Sequence, residues 1–187
     1  MKYLIVGIGN TGEEYAETRH NIGFKVAEKI AEKIEAPFRS SNFGLLAEGK
    51  YKGRKVFVLK PDTYVNLSGN AVKFWMQKEN IPLENILVVT DDLALPFGSL
   101  RMKMKGSPAG HNGLKNIEAV LNTNQYARLR FGISAEFKDG QQIDYVLGKW
   151  NEEEYPKLPE RIEKFSQAAL SFVFAGVQNT MSTFNGK

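Results

Sequence analysis

"KYLIVGIGNTGEEYAETRHNIGF" (Lys2–Phe24) opens the chain, and its reading sets the fold class. The run KYLIVGIG is short, β-rich and stopped by glycines, which predicts a strand. Gly7, Gly9 and Gly12 then spell a literal G-x-G-x-x-G. A dinucleotide-binding loop of that spelling needs a helix that starts within the glycines, so that its N-terminus faces the pyrophosphate. Here Glu13 and Glu14 follow at once and would repel a phosphate, and the helical pattern begins only near Arg19. No acid closes a second strand about 20 residues on, where a ribose would be held. The dinucleotide reading is therefore rejected. The glycines read instead as a loop that lets Asn10 point into a cleft.

Strands and helices continue to interleave. Ile22, Val26, Ile30 and Ile34 recur at helical spacing while Lys25, Glu28, Lys29, Glu32 and Lys33 face out, so "HNIGFKVAEKIAEKIEA" is an amphipathic helix. "FGLLAEGKYKGRKVFVLKP" reads as a hairpin turning near Lys52-Gly53, and "SGNAVKFWMQKEN" as a second helix. "NILVVTDD" is a buried strand ending in acids. "GSLRMKMKG" is a strand with Arg101, Lys103 and Lys105 on one face and Met102 and Met104 on the other. "HNGLKNIEAVLN" is a third helix and "ARLRFGIS" a further strand, followed by "DYVLGKW". The tail from Asn151 to about Val177 is a long helix with Ile162, Phe165, Ala169 and Val173 on one stripe. This order predicts an α/β fold: a single-domain, three-layer sandwich over residues 1–187, with a twisted, mixed but mostly parallel sheet flanked by helices.

Composition excludes several function classes. The chain has 187 residues, 42% of them hydrophobic and 25% charged, which is the balance of one ordinary soluble domain. It has no cysteine, so disulfides and thiolate metal sites are out and a reducing cytoplasm fits. With only two histidines, a zinc site would need carboxylate help at unfavourable spacing. The N-terminus is too short and too glycine-broken for a signal peptide, and "AALSFVFAGV" is too short for a membrane span. A cytoplasmic protein without membrane contact is expected. Residues 99–130 carry six basic residues (Arg101, Lys103, Lys105, Lys115, Arg128, Arg130) against one acid, Glu118, which exceeds the net charge of +4 for the whole chain. Basicity confined to one segment is what a patch that meets a polyanion would show, and a solvated face without a partner accounts for it equally well.

Ligands of open α/β sheets bind beyond the carboxyl ends of the strands. Asn10 stands after the first strand, Tyr64 and Asn66 after "KVFVLKP", and Asp91 at the end of "NILVVT". Both histidines, His20 and His111, precede an asparagine and open a helix behind such a loop. If the strands are parallel, these groups converge on one rim. A carboxylate on one ring nitrogen of His20 would orient the ring and strengthen it as a base, leaving the other nitrogen to deprotonate water. No serine sits in a G-x-S-x-G elbow, which favours direct attack by water over an acyl-enzyme. Asn10, Asn66 and Asn112 suit an ester or amide substrate, whose carbonyl and developing oxyanion they could hold. Tyr15 and Tyr64 could stack on a base or ribose. Asp91-Asp92 alone is a poor signal for a divalent ion.

The blocks "VGIGNTGEEYAETRHNIGF", "KPDTYVNLSG", "VVTDDLALPFG", "GSPAGHNGLK" and "RLRFGIS…DYVLGKW" resemble the bacterial-type peptidyl-tRNA hydrolases, in order and over nearly the whole chain. The resemblance implies cleavage of the ester between a peptide and the tRNA 3′ ribose by a monomer that uses no cofactor and no metal. It implies that His20 is the general base and Asp91 the acid that holds it. Asn10 would contact the peptide and so separate peptidyl from aminoacyl substrates. Tyr15, Tyr64, Asn66 and Asn112 would bind the tRNA end and the peptide, with His111 in support. Arg101, Lys103, Lys105 and Arg130 would clamp phosphates. Thr11 stands where the family usually has proline, Val65 where methionine is common and Ala94 where aspartate is frequent. "AEFKDGQQ" lacks the usual Gly-Arg/His-Pro. None of these departures removes a proposed chemical group. Two rivals remain: a non-catalytic RNA-binding protein of the same fold, and a nucleoside or nucleotide enzyme on a similar scaffold. The first has no need of a base, and the second has no need of a spread basic strip.

Overall fold

Runs that are apolar at every position need cover on both faces of a sheet, and a computed structural model of residues 1–187 provides it. Seven strands form one sheet: β1 (Lys2–Gly7), β2 (Phe38–Ser41), β3 (Gly44–Tyr51), β4 (Arg54–Pro61), β5 (Ile86–Asp92), β6 (Leu100–Lys103) and β7 (Ala127–Gly132), in the order β2-β3-β4-β1-β5-β7-β6. The six helices are α1 (Ile22–Lys33), α2 (Ser68–Lys78), α3 (Asn112–Leu121), α4 (Gln142–Val146), α5 (Leu158–Ala175) and α6 (Val177–Phe184). The expected mixed sheet flanked by helices is observed. Its pairings divide evenly: β4-β1, β1-β5 and β5-β7 are parallel and central, while β2-β3, β3-β4 and β6-β7 are antiparallel and peripheral.

Alternation along the buried strands feeds two cores. Leu4 and Val6 of β1 join Val72 and Trp75 of α2 and Ile117 of α3 on one side. Ile5 joins Val26 and Ile30 of α1 and Phe165, Ala169 and Val173 of α5 on the other. The hairpin turns where the glycine predicts. Lys52 and Gly53 take φ of 48° and 81°, the positive values that a two-residue turn between right-twisted strands requires.

Three sequence expectations are corrected, and one element is added. The strand expected over 98–106 is paired only from Leu100 to Lys103; Met104 lies beyond it and is exposed, not inward. The long C-terminal helix begins at Leu158, after a loop and a single 3₁₀ turn (Tyr155–Lys157), and stops at Gly176, where φ is 88°. Arg128, counted in the basic strip, is fully buried and donates to the carbonyls of Gly106, Asn124 and Tyr126. Covered on both faces, β7 leaves no room for a solvated arginine, so Arg128 instead ties down the loop after β6 and the end of α3. The edge strand β2 was not foreseen, because four residues carry too little period to read.

Because β1, β4, β5 and β7 run the same way, their ends at Gly7, Pro61, Asp92 and Gly132 share one rim. A glycine contact brings α1 to that rim. A Cβ on Gly7 would strike the Gly23 carbonyl, and a Cβ on Gly23 would lie 2.6 Å from the carbonyl oxygens of both Ile8 and Val89. Only two bare backbones allow the helix to start this close to β5, with His20 one turn upstream. Gly23→Ala is expected to cost about 1–3 kcal/mol, the usual penalty of overpacking. Urea unfolding measures it, and an unchanged midpoint would contradict the close-approach argument.

Candidate active site

Asp91 is the centre of the rim. It is the penultimate residue of β5, its side chain is only 3% exposed, and it meets a histidine through each oxygen. His20 Nδ1 lies 2.7 Å from Oδ2, and His111 Nε2 lies 2.8 Å from Oδ1. The two imidazoles are tilted against each other with centroids 5.2 Å apart. A carboxylate only accepts, so His20 Nδ1 carries the proton of its bond. His20 Nε2 has no protein partner, and the ring opens onto a cleft of about 380 Å³. Asp91, His111, Asn112 and Arg130 also line this cleft, with Phe137, Ile143 and Val146 as an apolar wall.

Burial sets the electrostatics. Burial alone would favour neutral His20, but the charge of Asp91 and its hydrogen bond outweigh this and raise the His20 pKa above 6.5. Burial would likewise push Asp91 up. Electrostatic attraction to His20 and His111 and the hydrogen bonds from both rings reverse that, and hold the carboxyl well below the usual range. The site therefore contains a carboxylate held in its charged form and a histidine more basic than a free imidazole.

Successive strand residues point to opposite faces, so Asp92 turns away from Asp91. It meets Arg130 Nε at 3.0 Å, an ion pair too poorly angled for a hydrogen bond, and its Oδ1 accepts from the Ala94 N–H at 2.9 Å. The two acids thus have separate partners and do not form one cation site. His20, Asp91 and His111 do place their ligand atoms within 4.8 Å of one another. The expected contact of Asp91 with His20 is present, and the fold adds His111 on the other carboxylate oxygen.

Around this centre the loops are clamped. The Asn10 backbone N–H donates to Asn21 Oδ1 and the Asn21 amide donates back to the Asn10 carbonyl, each at 2.8 Å. Asn10 Oδ1 accepts from the Val65 N–H at 2.9 Å, which leaves its amide NH₂ as a free donor. Asn21 and Thr90, which were given no role from sequence, are both buried in this framework. The signal for Asn21 was visible as the first His-Asn pair. Val65 also packs beside Gly113 at the start of α3, so the β4–α2 turn and the His111 loop touch. Arg19 fixes the turn from behind: its guanidinium reaches Glu154 and the Tyr145 carbonyl, each at 3.1 Å, and sits 4.1 Å over the Tyr145 ring.

The remaining sequence candidates are more dispersed. Tyr64 and Asn66 are exposed on either side of Val65, Tyr15 is half-buried, and none of the three lines the cleft itself. Asn112 is exposed at the first position of α3. Arg101, Lys103 and Lys105 are exposed without a carboxylate partner, on and just after β6. Arg130 differs from them: it is buried, paired with Asp92 and part of the cleft.

A carboxylate-held histidine facing a cleft at the carboxyl rim of a mixed α/β sheet is the arrangement of an enzyme site able to take up a proton from a bound group. Comparison with known proteins makes this specific. The family described as peptidyl-tRNA hydrolase matches residues 4–187. Peptidyl-tRNA hydrolases of Parabacteroides distasonis and Bacteroides fragilis are each 56% identical over 187 residues, covering the whole of both chains. The crystal structure of peptidyl-tRNA hydrolase from Acinetobacter baumannii superposes with a TM-score of 0.92 at 34% identity, covering 98% of this chain and 94% of that one. The chain belongs to the peptidyl-tRNA hydrolase family.

With only two histidines, NMR can follow each ring separately. The His20 resonance is expected to titrate above 6.5. In Asp91→Asn, where burial acts without the compensating charge, it is expected to titrate lower than in the unaltered protein. An unmoved His20 titration in that variant would contradict the electrostatic account.

Proposed function

We propose that this protein hydrolyses the ester joining a peptide, or an N-blocked amino acid, to the tRNA 3′ ribose, with His20 as general base, Asp91 as its partner and Asn10 as a peptide contact. One observation carries the reading: His20 has one nitrogen fixed on a buried carboxylate and the other without a protein partner, facing the cleft. Water there gives a proton to Nε2 as its oxygen attacks the ester carbonyl. The tetrahedral intermediate then collapses, the ribose oxygen leaves with that proton, and the peptide keeps the new oxygen as its carboxylate. General-base help of this kind is worth about 10²–10⁴-fold, and positioning supplies the remainder.

The free NH₂ of Asn10 is a donor of the kind that can hold a peptide carbonyl, which unblocked aminoacyl-tRNA lacks. Tyr15, Tyr64, Asn66 and Asn112 border the approach and take the acceptor end and the peptide. Arg101, Lys103 and Lys105 take phosphates; support for this is their exposure without carboxylate partners. Arg130 is charge-matched to Asp92 and so contributes to phosphate binding less than the exposed three. In this reading residues 1–187 act as one domain, as a monomer, in the cytoplasm. No helix is long and apolar enough to cross a membrane.

The test uses N-acetyl-aminoacyl-tRNA and unblocked aminoacyl-tRNA, with and without chelator. Chelator-insensitive cleavage of the blocked ester alone is expected. His20→Ala is expected to lose about 10²–10⁴-fold in kcat while retaining RNA binding. Turnover like that of the unaltered enzyme in His20→Ala would remove His20 as the base, and RNA binding without any cleavage would establish the non-catalytic alternative. Lys103→Glu and Lys105→Glu are each expected to lower the slope of log affinity against log salt by about one. An unchanged slope would take them out of the phosphate contact.

A further inference from the structure

His111 makes two kinds of bond that chemically constrain each other. It is the N-cap of α3, and its Nδ1 accepts from the backbone N–H groups of Gly113 at 3.1 Å and Leu114 at 3.4 Å. Helix caps are usually short side chains with an oxygen acceptor, so an imidazole in this role is unusual. A neutral imidazole has one acceptor and one donor nitrogen. With Nδ1 committed as acceptor, the ring proton stands on Nε2. That N–H faces Asp91 Oδ1 at 2.8 Å and Thr90 Oγ1 at 2.7 Å, and the Thr90 hydroxyl lies 3.3 Å from the same carboxylate oxygen.

We propose that His111 is a positioning residue for His20: by capping α3 it is locked in the tautomer that donates to Asp91 Oδ1, which fixes the carboxylate with Oδ2 toward His20 and shares its negative charge between two rings. This rests on the hydrolase reading above and deepens it. The second histidine then moderates the first. Without the His111 donor, the whole charge of Asp91 would act on His20, bind its proton more tightly and leave less free base near neutral pH. The other charges around the rim are already paired: Asp92 with Arg130 from β5 and β7, and Arg19 with Glu154 behind the His20 turn.

The same bonds decide how the His20–Asp91–His111 cluster treats a metal ion. An ion on His111 Nε2 would force the ring proton to Nδ1, against two helix N–H donors, and so would break the cap. The cluster is built to fix a proton.

Two variants separate positioning from capping. His111→Asn keeps an oxygen acceptor for the helix N–H groups but is too short to donate to Asp91, whereas His111→Ala loses both functions. In His111→Asn the urea midpoint is expected to fall, because Asp91 Oδ1 loses a donor, but by less than in His111→Ala, because the cap is kept. The His20 NMR titration, now the only histidine signal, should move to higher pH, opposite to its movement in Asp91→Asn. The acid limb of kcat/KM should move with it. kcat at pH 7 should fall about tenfold, the lower end of what loss of an outer hydrogen-bond partner costs elsewhere, with KM little changed. His111→Ala should lower the urea midpoint further. A His20 titration unmoved in both variants would overturn the proposal and leave His111 as a structural cap. A rise in KM alone would overturn it in favour of direct substrate contact. The NMR readout needs no turnover. An inactive unaltered protein with the His20 movement intact would therefore sink the hydrolase reading and leave the positioning role standing.

Discussion

A carboxylate buried at the end of a central parallel strand cannot stay charged without partners, and the arrangement of this rim follows from supplying them to Asp91. An unpaired buried charge costs several kcal/mol, so each oxygen must be met. One is met from the turn before α1 and the other from the loop before α3. The chain reaches these two places by different routes, and both routes depend on close backbone approach. Gly7 and Gly23 let α1 start against β1 and β5, and Gly113 leaves room for both Val65 and the His111 ring. The Asn10–Asn21 pair and the bond from the Val65 N–H to Asn10 then lock the surrounding loops together.

The fold also sorts charge by depth. Basic residues of β6 and β7 divide by strand between solvent and interior. Arg101 and Lys103 face water on the edge strand, while Arg128 and Arg130, their register partners on β7, are buried. The buried pair is spent inward: Arg128 secures loop carbonyls and Arg130 neutralises Asp92. The outer residues have no carboxylate partner. This division puts an exposed cationic edge beside a cleft whose interior charges are balanced, which suits a substrate with an anionic backbone and a neutral ester.

Much of this was legible in the sequence because it depends on local pattern. The period of β1, the Lys52-Gly53 turn and the α1 stripe each follow from residues within one element. Asn10 and Asp91 fall at strand ends and the His-Asn pairs open helices behind such loops, so a shared rim was to be expected once the strands were taken as parallel. What could not be read depends on contacts between distant segments. The His111–Asp91 bond joins residues whose meeting is set by the path of the whole β6–α3 loop. The burial of Arg128 depends on the loops at Gly106 and Asn124–Tyr126 that close over it, and the exposure of Met104 on where strand pairing stops. Gly176 could have been noticed as a break, since glycine ends helices readily, but an apolar stripe continuing past it concealed the stop.

The central claim is that His20, held by Asp91, must be unprotonated for the enzyme to act. The most direct test is to measure kcat/KM for N-acetyl-aminoacyl-tRNA across pH and to follow the His20 NMR titration in the same buffer. The account predicts that activity rises through a single acid limb whose midpoint coincides with the His20 titration, above 6.5. Activity that stays level while His20 gains its proton would contradict it.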